Sequence, residues 1–423
     1  MRKLIIVTVL LSVLAHAQGV AQERKKTPAL REQVYSQLAR AQQLLDEGNS
    51  HAGLQVLQEI ERKQNSMNSY ERAMLWSFYG YFYYGQDNPE QAIHYFDRVV
   101  AEEAIPVTLE QNTLFSLAQL SLGQSNYSQA LDYLARWEQL VPAAQQQAGQ
   151  ILKAQALYQQ REYSRALPII TNVIEQATGQ GQRPEENWLV LQRAIYYELH
   201  HMEQVAAVLE DLVRFYNKPE YWVQLAGVYG QLDEHQKQLA VLEAAYQLGY
   251  LTTEAELLNL AQTYFFNEVP FKAGQLIETG LQQGTIAPTL ATLQLMAQAW
   301  VAARETDKAN EALLAAAKLS DTGELDAQRA TLLLNTERYD EALVAARHAL
   351  AKGQLRQPGM MYLVIGMAEL NLANFNAALQ AFALAKQYED AQQLANQWEQ
   401  FTQAEQRQLE TLQKIRDDIQ ASS

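Results

Sequence analysis

Side chains that could perform chemistry are few in this chain. His200, His201 and Met202 are adjacent nitrogen and sulfur donors of the kind that bind copper or nickel. Adjacent histidines with no third ligand nearby in the sequence are more common in a polar turn between helices, and we favour that interpretation. The sequence therefore predicts neither a metal ion nor a cofactor.

The common catalytic and nucleotide-binding motifs are also missing. Gly179 and Gly181 lack the third glycine and the preceding strand of a phosphate-binding loop. No Gly-x-Ser-x-Gly or His-Glu-x-x-His sequence occurs, and the chain contains 0 cysteines, which excludes thiolate chemistry and disulfides. No pair of carboxylates is marked out for glycoside hydrolysis, because such a pair needs a pocket that fixes its separation. We therefore predict no catalytic residue and no enzymatic activity.

A repeated pattern of small and large apolar residues organises most of the chain. Its clearest copy contains Trp76, Gly80, Tyr83, Ala92 and Phe96, at offsets 4, 8, 11, 20 and 24 of one unit. Two helices can approach closely at the glycine and the alanine, and the aromatic residues fill the space beside them. This pattern resembles the signature of the tetratricopeptide repeat (TPR) family, which implies paired helices.

The pattern recurs ten times, at spacings of 33 to 39 residues. The residues at offset 8 are Ala41, Gly80, Ala118, Ala154, Arg193, Ala226, Ala261, Ala297, Ala330 and Gly366. Those at offset 20 are Gly53, Ala92, Ala130, Ala166, Val205, Gln238, Ala273, Ala309, Ala342 and Ala378. Arg193 and Gln238 break the pattern, and at offset 24 only Ala346 is not a large apolar residue. The resemblance implies an all-α fold, an α-α superhelix of about ten helix-turn-helix repeats over residues 30–385.

Two segments interrupt or end the pattern. Residues 178–184 form the longest run of helix breakers, which suits a hinge or, more simply, a long loop between the fourth and fifth repeats. After Ala385 the pattern becomes polar and amphipathic, through Trp398. We therefore expect residues 386–423 to form C-terminal capping helices that cover the open end of the last repeat.

The N-terminus has the pattern of a secretory signal peptide. Arg2 and Lys3 precede an apolar stretch of eleven residues, 4–14, and the sequence Ala-His-Ala ends at Ala17. The apolar stretch is too short to span a bilayer, and no later segment is long and apolar enough to do so. We expect residues 1–17 to be cleaved, leaving a soluble protein in the periplasm of a bacterium without stable membrane insertion.

The chain is acidic, which excludes some classes of partner. Its formal net charge is −15 at pH 7, and removal of Arg2 and Lys3 with the signal peptide would change that to −17. A negative surface repels phosphate groups, so we expect neither nucleic acid nor anionic lipid as a partner.

A candidate binding surface follows from the repeat register. Offsets 9 and 12 resemble the positions that line the concave groove of TPR proteins, and none of these twenty residues is Lys or Arg. The basic carboxylate clamp of some TPR adaptors is therefore missing, and an uncharged groove suits a helix or an extended segment with apolar anchors. The paired tyrosines of the second repeat suit such anchors, but packing between neighbouring first helices would also explain them. The predicted partner-binding residues are Tyr81, Tyr84, Gln119, Tyr158, Tyr197, Gln262 and Phe265.

Two hypotheses about function remain at this level. The segments Gln42–Gly48 and Tyr70–Phe96 are similar to exported TPR proteins that accompany TonB–ExbB–ExbD systems, which implies a scaffold for a protein or peptide partner in the cell envelope. The alternative is an accessory factor for polysaccharide synthesis or export, or for a cell-wall enzyme. Neighbouring genes would distinguish the two hypotheses.

Overall fold

The computed structural model describes residues 26–421, and the predicted signal peptide lies outside this range. Within it, the regular secondary structure consists of 21 α-helices and two short 3-10 turns, without a strand. The predicted all-α fold is confirmed. None of the helices in residues 26–421 combines the length and the apolar character needed to cross a membrane.

The chain divides into two compact units, Met1–Val208 and Leu209–Ser423, and the division falls inside helix α10. The helices that begin in the first unit are α1 (Glu32–Asp46), α2 (Ser50–Glu61), α3 (Ser69–Gly85), α4 (Pro89–Val100), α5 (Val107–Gly123), α6 (Tyr127–Leu140), α7 (Gln147–Gln159), α8 (Tyr163–Gly179), α9 (Glu186–Glu198) and α10 (Met202–Tyr216). The other helices lie in the second unit and are α11 (Pro219–Gln231), α12 (His235–Gln247), α13 (Glu254–Phe266), α14 (Pro270–Gln283), α15 (Leu290–Ala302), α16 (Thr306–Lys318), α17 (Glu324–Asn335), α18 (Tyr339–Lys352), α19 (Pro358–Asn371), α20 (Phe375–Ala385) and α21 (Gln392–Ala421).

Helices α1 to α20 form ten repeats, each with a first helix (the A helix, odd-numbered) and a second helix (the B helix, even-numbered). Every repeat has the same turn between them. In the second repeat, Asp87 has a left-handed φ of 57°, and the backbone N–H of Asn88 donates to the carbonyl of Tyr83 at 3.0 Å. This is a Schellman turn, which satisfies carbonyls at the end of the A helix. The left-handed residues are Gly48, Asp87, Ser125, Arg161, His200, Asp233, Glu268, Arg304, Glu337 and Ala373.

Each left-handed residue follows the offset-8 residue by seven positions, so the turns repeat at the spacing found in the sequence. Burial agrees with this register. At offset 8 all residues except Arg193 are buried, and at offset 20 all except Gln238. All ten residues at offset 24 are buried, including the small Ala346. Three sequence offsets and one backbone feature therefore place the same ten repeats.

The glycines at offset 8 make room for an aromatic ring. A Cβ atom on Gly80 would lie 2.5 Å from Cε1 of Phe96, the offset-24 residue of the same repeat. Gly366 and Phe382 have the same relation in the tenth repeat. The glycine thus removes the atoms that would otherwise collide with the phenylalanine.

Charged side chains connect neighbouring repeats in the second unit. Lys272 forms an ion pair with Glu243 of the preceding repeat, and its Nζ lies 5.4 Å from the ring centroid of Tyr264. Between the ninth and tenth repeats the cation belongs to the earlier repeat instead: Arg347 of the ninth pairs with Glu369 of the tenth at 3.1 Å. The arrangement of Lys272, Glu243 and Tyr264 recurs one repeat later in Lys308, Glu278 and Trp300.

A buried carboxylate connects the start of the described chain to the second repeat. Glu71 is fully buried and accepts hydrogen bonds from Arg31 Nε at 2.7 Å and from the Asn68 backbone N–H at 3.0 Å. The side chain of Asn68 in turn accepts from the Glu71 N–H, which completes a capping box at the start of α3. The arginine hydrogen bond is the main cause that lowers the pKa of Glu71 to about 2.

One helix, α21, caps the last repeat. Its residues Ala395 and Thr402 are fully buried, and the Trp398 ring stacks on Phe382 with centroids 6.4 Å apart. The C-terminal cap expected from the amphipathic pattern after Ala385 is this single helix of 30 residues. The interruption at 178–184 corresponds to the end of α8 and the connection to α9, and it lies within the first unit.

Candidate functional site

The side chains at offsets 9 and 12 of the A helices form what we term the groove row. In the structure all twenty are exposed or half-buried, while the offset-8 residue beside them is buried in nine repeats. Within each unit, several A helices contact the next A helix, among them α5 with α7 and α13 with α15. The groove row is therefore a surface feature that several successive repeats can present together.

The seven predicted site residues all belong to this row, and each reaches the surface. Two of them, Tyr158 and Phe265, are half-buried. The other five are exposed: Tyr81, Tyr84, Gln119, Tyr197 and Gln262. Five of the seven lie in the first compact unit and two in the second.

Tyr81 and Tyr84 differ from the core aromatic residues of the same repeat. Tyr81 is 39% exposed and Tyr84 is 48% exposed. The Tyr81 ring also packs edge-to-face on Phe96, with centroids 5.1 Å apart, and partial burial raises the pKa of its hydroxyl. Tyr81 therefore contributes to packing and still offers an open face, whereas Tyr84 is the more accessible of the two.

A stacked aromatic cluster supports the helix that carries these tyrosines. The Tyr95 ring stacks on two others. Its centroid lies 4.5 Å from that of Tyr79 and 5.4 Å from that of Tyr83. The Tyr79 hydroxyl donates to Glu61 at 2.7 Å, and burial raises the pKa of that hydroxyl. The Arg98 guanidinium lies 3.3 Å from the ring centroid of Trp76. These contacts hold α3 against α2 and α4, so its exposed tyrosines project from a well-packed helix.

The groove row carries no charge at either offset. Glutamine occupies offset 9 in five repeats, and aromatic or aliphatic side chains occupy offset 12 in nine. Glutamine amides both donate and accept, so they can pair with the backbone of a bound segment. The apolar positions beside them can hold its side chains. The five glutamines are Gln42, Gln119, Gln155, Gln262 and Gln298.

Phe266 is an exposed aromatic residue that lies outside the two groove offsets. Phe266 is 80% exposed, the largest exposed fraction among the large apolar side chains of the described residues. It ends α13, next to Phe265, whose ring it meets edge-to-face with centroids 6.1 Å apart. Two adjacent phenylalanines were the available signal, because helical periodicity needs only one of them for the core. In the preceding repeat, both groove-row positions are glycines, Gly227 and Gly230, so the row has no side chain there.

The histidine pair lies where the polar-turn interpretation expects it. His200 is the left-handed residue of the fifth Schellman turn, with φ of 58°, and α10 begins at Met202. Among residues 26–421 there is no group of three or more His, Asp or Glu side chains arranged to hold a metal ion.

Comparison with known proteins gives fold-level likeness alone. No protein-family model and no curated protein matches the chain. Solved structures that resemble it include MamA from Desulfovibrio magneticus, with 16% identity, a TM-score of 0.35 and coverage of 42% of this chain and 95% of that chain. A tetratricopeptide repeat protein from Parabacteroides merdae has 12% identity, a TM-score of 0.37 and coverage of 63% and 99%. The TPR2AB domain of yeast Sti1, solved in complex with pHSP90, has 12% identity, a TM-score of 0.36 and coverage of 61% and 98%.

Proposed function

We propose that this tetratricopeptide-repeat chain is a scaffold that binds a segment of another protein along the groove row of its first unit. The observation that carries the proposal is the character of that row, which is accessible in all ten repeats and uncharged throughout. A surface of this kind favours a peptide or a helix with apolar anchors over a charged ligand.

Within the row, Tyr81 and Tyr84 are the proposed anchors. They lie three positions apart on α3, so both project from the same side of the helix. Tyrosine combines a large apolar ring with a polar hydroxyl, and it is enriched among the residues that dominate binding energy at interfaces. The partner segment would place apolar side chains against these rings.

We further propose that the mature chain acts in the periplasm and that its partner is a cell-envelope protein of a TonB-type transport system. The support is the signal-peptide pattern of residues 1–17 and the resemblance of Tyr70–Phe96 to exported TPR proteins of that group. Fractionation tests the location: the mature chain should begin at Gln18 and be recovered with periplasmic proteins. Recovery of the uncut chain from the cytoplasm would refute the location without affecting the groove row.

The binding proposal is tested by capture from periplasmic extract with the wild-type chain and with Tyr81→Ala/Tyr84→Ala. If both are anchors, the double variant should bind the captured protein more weakly by about 2–4 kcal/mol. Tyr246→Ala is the matched control, because Tyr246 is an exposed tyrosine on the B helix α12, outside the groove row. Equal recovery of the same proteins with all three chains, at equal helicity, would show that this part of the row does not bind.

A further inference from the structure

The last part of α21 extends beyond the repeats that it caps. Contacts with α19 and α20 involve the first half of the helix, where Ala395 and Thr402 are buried and Lys386 pairs with Glu399 at 2.6 Å. Residues 407–417 are all exposed. The exposed residues include Leu409, Leu412 and Ile415, so an apolar stripe continues where the packing ends.

The side chains of this segment form a symmetric pattern on one helix face. Glu405, Leu409, Leu412 and Arg416 are separated by four, three and four positions. That heptad spacing aligns them along one seam, which we term the tail face. Ile415 lies beside it. The tail face therefore has two leucines at its centre, a negative charge at one end and a positive charge at the other.

We propose that the tail face binds the tail face of a second copy of this chain in antiparallel orientation. That orientation places Leu409 against Leu412 of the second copy, and Glu405 against Arg416 of the second copy, twice over by symmetry. A parallel, in-register pair would instead place each charged residue against its own copy, which is unfavourable. Charge complementarity thus selects both the occupant, a second copy, and its direction.

Sedimentation velocity of the mature chain over a range of concentrations tests the association. The wild type should pass from monomer to dimer, and Leu409→Glu/Leu412→Glu should remain monomeric. Both leucines are exposed, so this variant should keep the helicity and melting curve of the wild type, which circular dichroism checks. Lys414→Glu is the matched control, because Lys414 lies on the opposite side of the helix and its reversal should leave the dimer intact. A wild type that stays monomeric, or a dimer that survives the double substitution, would overturn the proposal.

Charge exchange tests the orientation. Arg416→Glu and Glu405→Arg should each weaken self-association by roughly tenfold, because each variant places like charges together. An equimolar mixture of these two variants should form a heterodimer, since every charged pair is then complementary. The variant with both substitutions should dimerise like the wild type. Single variants that associate as well as the wild type, or a mixture that does not form the heterodimer, would exclude the antiparallel arrangement.

Discussion

At the scale of single residues, the packing of a repeat depends on which atoms are missing as much as on those present. Gly80 has no Cβ, and the Phe96 ring occupies the space where that atom would be. Glu71 is the opposite case, a charged group that is tolerated in a buried position because Arg31 and backbone donors satisfy its oxygens. Each residue gives a direct test.

We predict that Gly80→Leu destabilises the first unit by about 1–3 kcal/mol, because the new side chain overpacks the contact with Phe96. The free energy of unfolding in urea measures the effect. Gly85→Ala is the control: Gly85 ends the same helix in open space, so alanine there should be neutral or stabilising by up to about 1 kcal/mol. An unchanged transition for Gly80→Leu would show that the close approach is unimportant.

We predict that Glu71→Gln costs roughly 1–3 kcal/mol at neutral pH, because it removes the charge that Arg31 binds. The folded pKa of about 2 lies below the usual value of 4.5, so the unfolded state binds the proton more readily. The stabilisation is therefore complete above the unfolded pKa and is lost as pH falls toward the folded one. Urea unfolding of both proteins at neutral pH and near pH ~3 should show the difference shrinking in acid. A difference that grows in acid would contradict the assignment.

At the scale of helices, the Schellman turn is the most regular element of the structure, although glycine occupies its left-handed position only at Gly48. The other nine repeats use residues with a Cβ there, at a conformational cost that the hydrogen bonds and the packed helices offset. Helix α8 is a second example of tertiary packing overriding local preference. Pro168 cannot donate a backbone hydrogen bond, yet α8 begins at Tyr163 and continues through the proline.

We predict that Ala373→Gly stabilises the tenth repeat by up to about 1 kcal/mol. Glycine adopts the φ of 63° found at Ala373 without steric cost, although its greater freedom in the unfolded chain offsets part of the gain. Ala373→Val should have the opposite sign, because a β-branched residue is disfavoured at positive φ. Thermal unfolding of the three proteins measures the order, and a more stable valine variant would contradict the role of the turn.

We predict a small but measurable coupling between the last two repeats through Arg347 and Glu369. A double-mutant cycle of Arg347→Ala and Glu369→Gln should give a coupling free energy of about 0.2–1 kcal/mol, because the arginine is largely exposed. Strictly additive costs would mean that the ion pair at 3.1 Å does not contribute to joining the repeats.

At the scale of the whole molecule, stability within each unit is distributed along the chain. Each helix contacts mainly its neighbours in sequence, so the burial of one repeat depends on the next. Helix α21 ends this series by covering the tenth repeat, with Trp398 on Phe382. Removal of a single repeat would therefore expose apolar faces on both of its neighbours.

We predict that the far-ultraviolet circular dichroism spectrum of the mature chain is that of an almost wholly helical protein, because the 21 helices account for most of residues 26–421. A substantial strand signal would be incompatible with the repeat assignment. The same spectra serve as the folding control for the variants described above.

The repeat register could be read from the sequence because it depends on local information. Small residues at offsets 8 and 20 determine where two adjacent helices approach. Local signals also mark helix starts: Asn88 caps α4 and Pro89 is its first residue. The same register located the groove row, and the structure shows all twenty of its side chains exposed or half-buried. The partner-binding role of that row stays a prediction.

The tertiary structure alone decided how the exceptions and the long-range pairs are accommodated. Gln238 breaks the pattern, yet its amide occupies space beside Gly230, where a Cβ would lie 3.0 Å from the Gln238 Nε2 atom. Glu71 meets Arg31 from 40 positions away. Such pairs depend on how one repeat is placed on another, and no local spacing encodes that placement. Helical periodicity fixes which side of a helix a residue occupies, but only the packed chain determines what it meets there.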